Sequence, residues 1–152
     1  MGSREIIVTV RGLNSYKLSH ITKETREELL NMDLSTLVKM SNTYGSNPAY
    51  VLAGGGNTSV KDDTTLYVKG SGTQLATIKA EEFVKMDRAR LNEIMKTEYP
   101  TDDVKRESAY LADVMAAVTD DDKTKRPSVE ALLHNLFAYT YVLHVHPTLI
   151  NG

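Results

Sequence analysis

Residues 127–147 read PSVEALLHNLFAYTYVLHVHP, and the change of period inside this stretch decides the fold class. Ser128 has the side chain of a helix N-cap, and the spacing that follows predicts a helix over roughly Val129 to Ala138. Tyr141 to His146 then reads as a strand, so the segment runs helix, short turn, strand. Alternate residues of a strand share a face, which puts His144 and His146 on one side, close enough to share a metal ion. Glu130 and His134, four apart, share a helix face. The returning strand lies beside the start of that helix and brings Glu130 toward the histidines. Each residue taken singly has a plainer reading. Glu130 is an acid in a first helical turn, favourable to the helix dipole. His134 is a helix-surface residue or a support behind the ligands, and a histidine on an apolar strand is commonly a satisfied core residue.

Outward from this segment the chain alternates in the same way. Residues 1–33 form a polar lead-in without a clear period, and His20 within it has no reason to join a site. Asp33 is placed to cap a helix over Leu34 to Tyr44, with Leu34, Leu37 and Val38 on one face, and Gly45, Asn47 and Pro48 end it. Tyr50 to Ala53 reads as a short strand entering the turn Gly54-Gly55-Gly56-Asn57-Thr58-Ser59. Val60 and Thr65 to Lys69 read as strands joined at Lys61-Asp62-Asp63, and Gly70-Ser71-Gly72-Thr73 closes the hairpin. A helical turn at Ala80 to Glu82, an alternating stretch from Phe83 to Asp87, and helices over Arg88 to Lys96 and Arg106 to Val118 follow. Pro100 to Asp103 and Asp120 to Arg126 read as surface loops. Phe137, Tyr139 and Tyr141 read as core or interface aromatics. Strands interleaved with helices give an α/β sandwich.

Composition narrows the class. At 152 residues, 41% hydrophobic and 25% charged, the chain has the size and balance of one globular domain with a single core. A formal charge of −2 gives no bulk electrostatic reason to bind nucleic acid or an anionic membrane. Cysteine is absent, which removes disulfides and thiolate metal sites and leaves imidazole and carboxylate as the strong ligands. No apolar run approaches the roughly 20 residues of a membrane span, and residues 1–10 are too short and polar for a signal peptide. A cytoplasmic protein is expected.

Two small-residue loops bear on anion binding. Three glycines before Asn57 free the backbone N–H groups of the first loop to approach a ligand, although such a run also serves as a plain tight turn. The loop lacks the Gly-Lys-Ser/Thr ending of a P-loop, and Ser59 stands where a dinucleotide fingerprint needs its last glycine, so nucleotide binding is disfavoured. Gly70 to Thr73 is a second loop of the same kind, and the two can flank an anion from opposite sides.

In this order, Gly56-Asn57-Thr58-Ser59, Ser71-Gly72-Thr73, Pro127-Ser128-Val129-Glu130 and His144-Val145-His146-Pro147 make the chain resemble the class II aldolase and adducin family from about Leu34 to Gly152. The resemblance implies a three-layer α/β/α sandwich around a mixed, largely antiparallel sheet. It also implies a zinc-dependent lyase that cleaves a carbon–carbon bond of a phosphorylated ketose through a zinc-stabilised ene-diolate, usually as a homotetramer. Epimerases, dehydratases and non-catalytic adducin-like modules belong to the same family. By this similarity Gly56, Asn57, Ser71, Gly72 and Ser128 bind substrate phosphate, Glu130 is the acid/base carboxylate, and His144 and His146 are zinc ligands. The family draws its third zinc histidine from sequence beyond the His-X-His strand. Residues 34–152 are therefore expected to be the first part of a longer domain that binds zinc weakly or not at all as it stands. Val129 replaces a hydroxyl residue that many members carry beside Ser128. Arg88 to Arg126 is longer, and the span from Glu130 to the histidines shorter, than the family pattern.

Overall fold

The structure, a computed structural model, describes residues 6–10 and 23–147. Its five strands are β1 (Ile6–Val10), β2 (Asn57–Lys61), β3 (Thr65–Lys69), β4 (Phe83–Asp87) and β5 (Tyr141–Val145). They form one sheet in the order β1-β5-β2-β3-β4, antiparallel at every pairing. Helices α1 (Lys23–Gly45), α2 (Arg88–Ile94), α3 (Asp103–Ala116) and α4 (Ala131–Leu136) cover its faces.

Strand alternation sorts the sheet into its two faces. Val60, Phe83 and Leu37 of α1 are buried together with Ile78, and Tyr67 and Tyr141 pack against them. On the other face Leu66, Val68, Val84 and Met86 meet Leu91 and Ile94 of α2, Val114 of α3 and Ala131 of α4. The result is the α/β/α sandwich, with α1 alone on one side. Register then places the polar residues. Asn57 lies opposite His144 and Ser59 opposite Val142 across β2 and β5. Asn57, Ser59 and Lys61 therefore face α4, as His144 does, while Thr58 turns the other way to meet Ser41 of α1 at 2.7 Å.

The elements differ from the sequence reading in several places; Asn57, Thr58 and Ser59, read as part of the glycine turn, already belong to β2. Asp33 sits inside α1 rather than at its cap, because the helix already runs from Lys23 through the polar stretch. Residues 50–53 form turns instead of a strand; the Tyr50 N–H bonds Asn47 O, and Ala53 has φ 52. The helix expected from Arg106 begins at Asp103, since the Asp102 carboxylate accepts the Lys105 N–H as an N-cap. The helix expected from Val129 to Ala138 is reduced to Ala131–Leu136. Glu130 occupies its N-cap position with φ −87 and ψ 6 and makes no side-chain cap bond. His20 lies outside the described residues. No helix of the described residues is long and apolar enough to cross a membrane.

A candidate metal and anion site

The site begins at a glycine. Gly56 enters β2 with φ 74, a conformation that side chains disfavour. A Cβ there would lie 2.9 Å from Leu75 Cδ1 and 3.0 Å from the carbonyl oxygen of His144. The missing side chain thus lets the chain turn into β2 directly against β5. Asn57, 1% exposed, follows and spends its amide nitrogen on two acceptors, Ser128 Oγ at 2.7 Å and Glu130 Oε2 at 2.9 Å. Its Oδ1 is buried with no hydrogen-bond partner among the described residues.

Ser128 joins the second loop to the first. Its N–H donates to Lys69 O at 3.0 Å, the Ser71 N–H donates to Arg126 O at 2.8 Å, and Gly70 bridges Pro127. Ser71 and Gly72 are exposed on this loop, and Gly72 has φ 84. Ser128 Oγ also accepts the Glu130 N–H at 3.3 Å. It therefore fixes Asn57 and the approach to Glu130 instead of capping a helix first turn that is open to an anion. Val129, between them, is 84% exposed.

Glu130 is where the two halves meet. Its Oε2 lies 2.9 Å from His144 Nδ1 and 3.9 Å from His134 Nε2. The hydrogen bond from His144 holds the Glu130 carboxyl down at about 2; burial opposes it, and the Asn57 bond and the two imidazoles add to it. Glu130 is therefore ionised at neutral pH. His144 is 1% exposed on β5. His146 is half-buried, with its ring centroid 4.6 Å from that of His144 and tilted 37°. The His146 N–H donates to Tyr50 O, which ties the strand end to the turn after α1.

His134 is fully buried, which rules out the helix surface and leaves the other of its two readings, a support behind the ligands. Ser59 Oγ meets its Nδ1 at 2.7 Å. The Lys61 ammonium donates to its backbone carbonyl at 2.6 Å, and its own N–H bonds Glu130 O at 3.0 Å. Burial drives the His134 pKa down to about 4 against the pull of Glu130, so the ring is neutral at pH 7. Its Nε2 has no hydrogen-bond partner among the described residues.

The donor set fits a metal ion. One oxygen or nitrogen from each of Glu130, His134 and His144 lies within 4.8 Å of the others, and imidazole with carboxylate suits zinc and other first-row transition ions. The structure thus brings Asn57, Ser128, Glu130 and His144 into direct contact, with Gly56 against the His144 carbonyl and His146 beside the His144 ring, while Ser71 and Gly72 sit on the loop paired to Arg126 and Pro127. Sequence reasoning missed Ser59 and Lys61 as supports. Their signal was present: Asn57, Ser59 and Lys61 repeat at the strand period of two, which puts three polar side chains on one buried face.

A three-layer sandwich with a carboxylate–imidazole cluster at the sheet end, beside two small-residue loops, defines a domain of class II aldolase type. The chain belongs to that family: the model of the Class II Aldolase and Adducin N-terminal domain matches residues 35–151. Among curated proteins it is 32% identical over 142 residues to the "Uncharacterized oxidoreductase YuxG" of Bacillus subtilis (strain 168), a match covering 88% of this chain and 20% of that protein. Among solved structures it resembles the N-terminal class II aldolase domain of a conserved protein from Thermoplasma acidophilum. There the TM-score is 0.65 at 30% identity, over 76% of this chain and 55% of that one. The chain thus spans a fifth of the curated relative's length and about half of the structural one.

Proposed function

We propose that this domain carries the site of a metal-dependent carbon–carbon lyase acting on a phosphorylated ketose, by retro-aldol cleavage. The supporting observation is the position of Glu130 Oε2, held at 2.9 Å by both the Asn57 amide and the His144 ring. One side chain from the anion loops and one from the histidine strand therefore fix the same carboxylate. In this reading His144 and His146 would hold a zinc ion beside Glu130, and the ion when bound would supply Lewis-acid polarisation of a substrate carbonyl oxygen.

The chain's own residues do the rest. Gly56, Asn57, Ser71, Gly72 and Ser128 bind and orient the phosphate, which converts chance encounter into a fixed geometry. The ionised Glu130 accepts the hydroxyl proton whose loss lets the carbon–carbon bond break, and returns a proton to the carbon left behind. A sugar phosphate is the small-molecule partner, a homo-oligomer the working form and the cytoplasm the compartment.

The name of the Bacillus relative comes from a protein five times the length of the matched region, and the loop at Gly56 lacks the dinucleotide glycine pattern, so hydride transfer is not assigned to this domain. The test is release of aldehyde from a panel of ketose 1-phosphates by the full-length protein supplied with zinc. Glu130→Gln is expected to lower kcat by about 10²–10⁴; full turnover by that variant refutes the assigned role. Phosphate and metal binding without any turnover favours an adducin-like binding module.

A further inference from the structure

The carboxylate of Glu130 is held from one side only. Its Oε2 takes the Asn57 amide and meets the His144 ring, each at 2.9 Å, and His134 Nε2 lies 3.9 Å from the same oxygen. Every side-chain hydrogen bond that the described residues give this carboxylate ends on Oε2. Three nitrogens therefore converge on one oxygen of the pair and leave Oε1 uncommitted.

His134 is the member of this set with no part in the reaction outlined above. Its ring is wholly buried, and burial disfavours the cation, so the ring keeps one hydrogen and not two. The neighbours decide which nitrogen holds it. Ser59 Oγ, 2.7 Å from Nδ1, can give or take a hydrogen bond. The Glu130 carboxylate can only take one, and it faces Nε2. A bare Nε2 would turn a lone pair toward a negative charge, whereas an N–H there is attracted to it. The consistent arrangement has the Ser59 hydroxyl donating to Nδ1 and the ring hydrogen on Nε2, directed at Glu130.

The supports beneath the ring allow it little movement. Lys61 of β2 donates to the His134 carbonyl at 2.6 Å. Arg88 of α2 donates through Nε to the Asn135 side chain at 2.8 Å, and the Asn135 amide donates in turn to Asn92 at 2.8 Å. Two cations thus hold the end of α4 while Ser59 holds the ring. Glu130, whose side chain is 30% exposed against 0% for His134, is the partner able to move. At 3.9 Å the pair is outside hydrogen-bond range, and an approach of about 1 Å completes the bond.

We infer that His134 is a positioning residue: Ser59 sets its ring with the hydrogen on Nε2, that N–H joins Asn57 and His144 in holding Oε2 of Glu130, and Oε1 is left as the oxygen that exchanges protons with substrate. The inference rests on the lyase reading for its use, but the state of the ring is measurable without turnover. A nitrogen that bears hydrogen has no lone pair for an ion, so His134 stays outside any metal and the ligand role stays with His144 and His146.

The test begins with imidazole nitrogen NMR of the 152-residue chain without metal. His134 is expected in the Nε2–H form with a bare Nδ1. Glu130→Ala should let the Nδ1–H form appear, since the charge that selects Nε2–H is gone. Kinetics of the full-length protein supplied with zinc then compare two variants, because a glutamine amide reaches to where Nε2 stands and an asparagine amide only to where Nδ1 stands. His134→Asn should lower kcat about 10- to 100-fold, the worth of a hydrogen bond to a charged group, with KM within about threefold. His134→Gln should bring kcat back to within about threefold of wild type. A purely structural role lowers both variants alike, in step with their folded fraction, and that result overturns the inference. A bare Nε2 in the wild type overturns it too, as does a ring unchanged by Glu130→Ala, and both readings stand even where the His134 variants fail to fold. The Nε2–H form with its dependence on Glu130, in a protein that cleaves no ketose phosphate, upholds the positioning of the carboxylate and refutes the lyase.

Discussion

Lys61 offers a test of how the floor of the site is held. It is 6% exposed on β2, and its ammonium donates to the His134 carbonyl, one of the outward-facing acceptors that a short helix leaves near its C-terminal end. Burial, with Arg88 nearby, lowers its pKa from 10.5 to about 8. Between those values the unfolded chain binds the proton and the folded chain does not, so stability rises with pH across the window. Below pH 8 both states are charged and the folded state bears the full cost of the buried ammonium. The gain on going from pH 8 to above 10.5 approaches about 3 kcal/mol, with a slope near 1 kcal/mol per pH unit around pH 9. Tyr99 works in the opposite direction. Its hydroxyl is pushed up to about 12 by burial and by Asp113, so stability from that source is lost only as pH climbs past 10, and measurements at pH 8–9.5 avoid it. Urea unfolding at half-unit steps in that range, wild type against Lys61→Met, isolates the lysine. Parallel curves, agreeing in slope within about 0.3 kcal/mol per pH unit, refute the argument.

Three further perturbations follow. Gly56→Ala combines about 1–2 kcal/mol of left-handed strain with a clash against the His144 carbonyl, for an expected loss of about 2–4 kcal/mol in urea unfolding; a loss below about 1 kcal/mol refutes it. Asn57→Ala strips a donor from Ser128 and Glu130 and should destabilise the fold by about 1–3 kcal/mol. The Glu130 carboxyl, followed by carbon NMR, should titrate higher in that variant than in the wild type, and an unmoved titration shows that Asn57 does not hold it. Met86→Ala, in the fully buried centre of the α2–α3 face, should lower stability by about 2–5 kcal/mol and Met86→Leu by less than about 1.5.

The sequence carried the frame of the site because the groups that build it are local. Gly56 announced a turn that only glycine enters, and the 127–147 segment held Glu130 and His144 on consecutive elements. What failed depended on other parts of the chain. Residues 23–33 have no apolar period, so α1 could not be started correctly from pattern, and Asp33 took the cap position that a shorter helix would need. Ser128 was assigned to a helix cap because local preference favours it. Asn57, distant in sequence, competes for its hydroxyl at 2.7 Å and the helix begins three residues later. The burial of His134 is likewise tertiary: it follows from Ser59 and Lys61 of β2 lying under α4, and helix spacing alone places an i+4 neighbour of Glu130 equally well toward solvent.

The position of β5 bears on how the protein assembles. Strands β2, β3 and β4 pair with near neighbours in the chain, and such short loops close at small entropic cost. The strand bearing His144 must instead slot between β1 and β2, whose residues lie far away in sequence. Contacts of that range are the slow ones in folding. The hairpin platform is therefore expected to exist before the histidines reach it, and the imidazole–carboxylate cluster to appear only as the sheet is completed. Under the metal-dependent reading, an ion added to an incompletely folded chain would meet scattered single ligands, so its tight uptake would report that the middle of the sheet has closed.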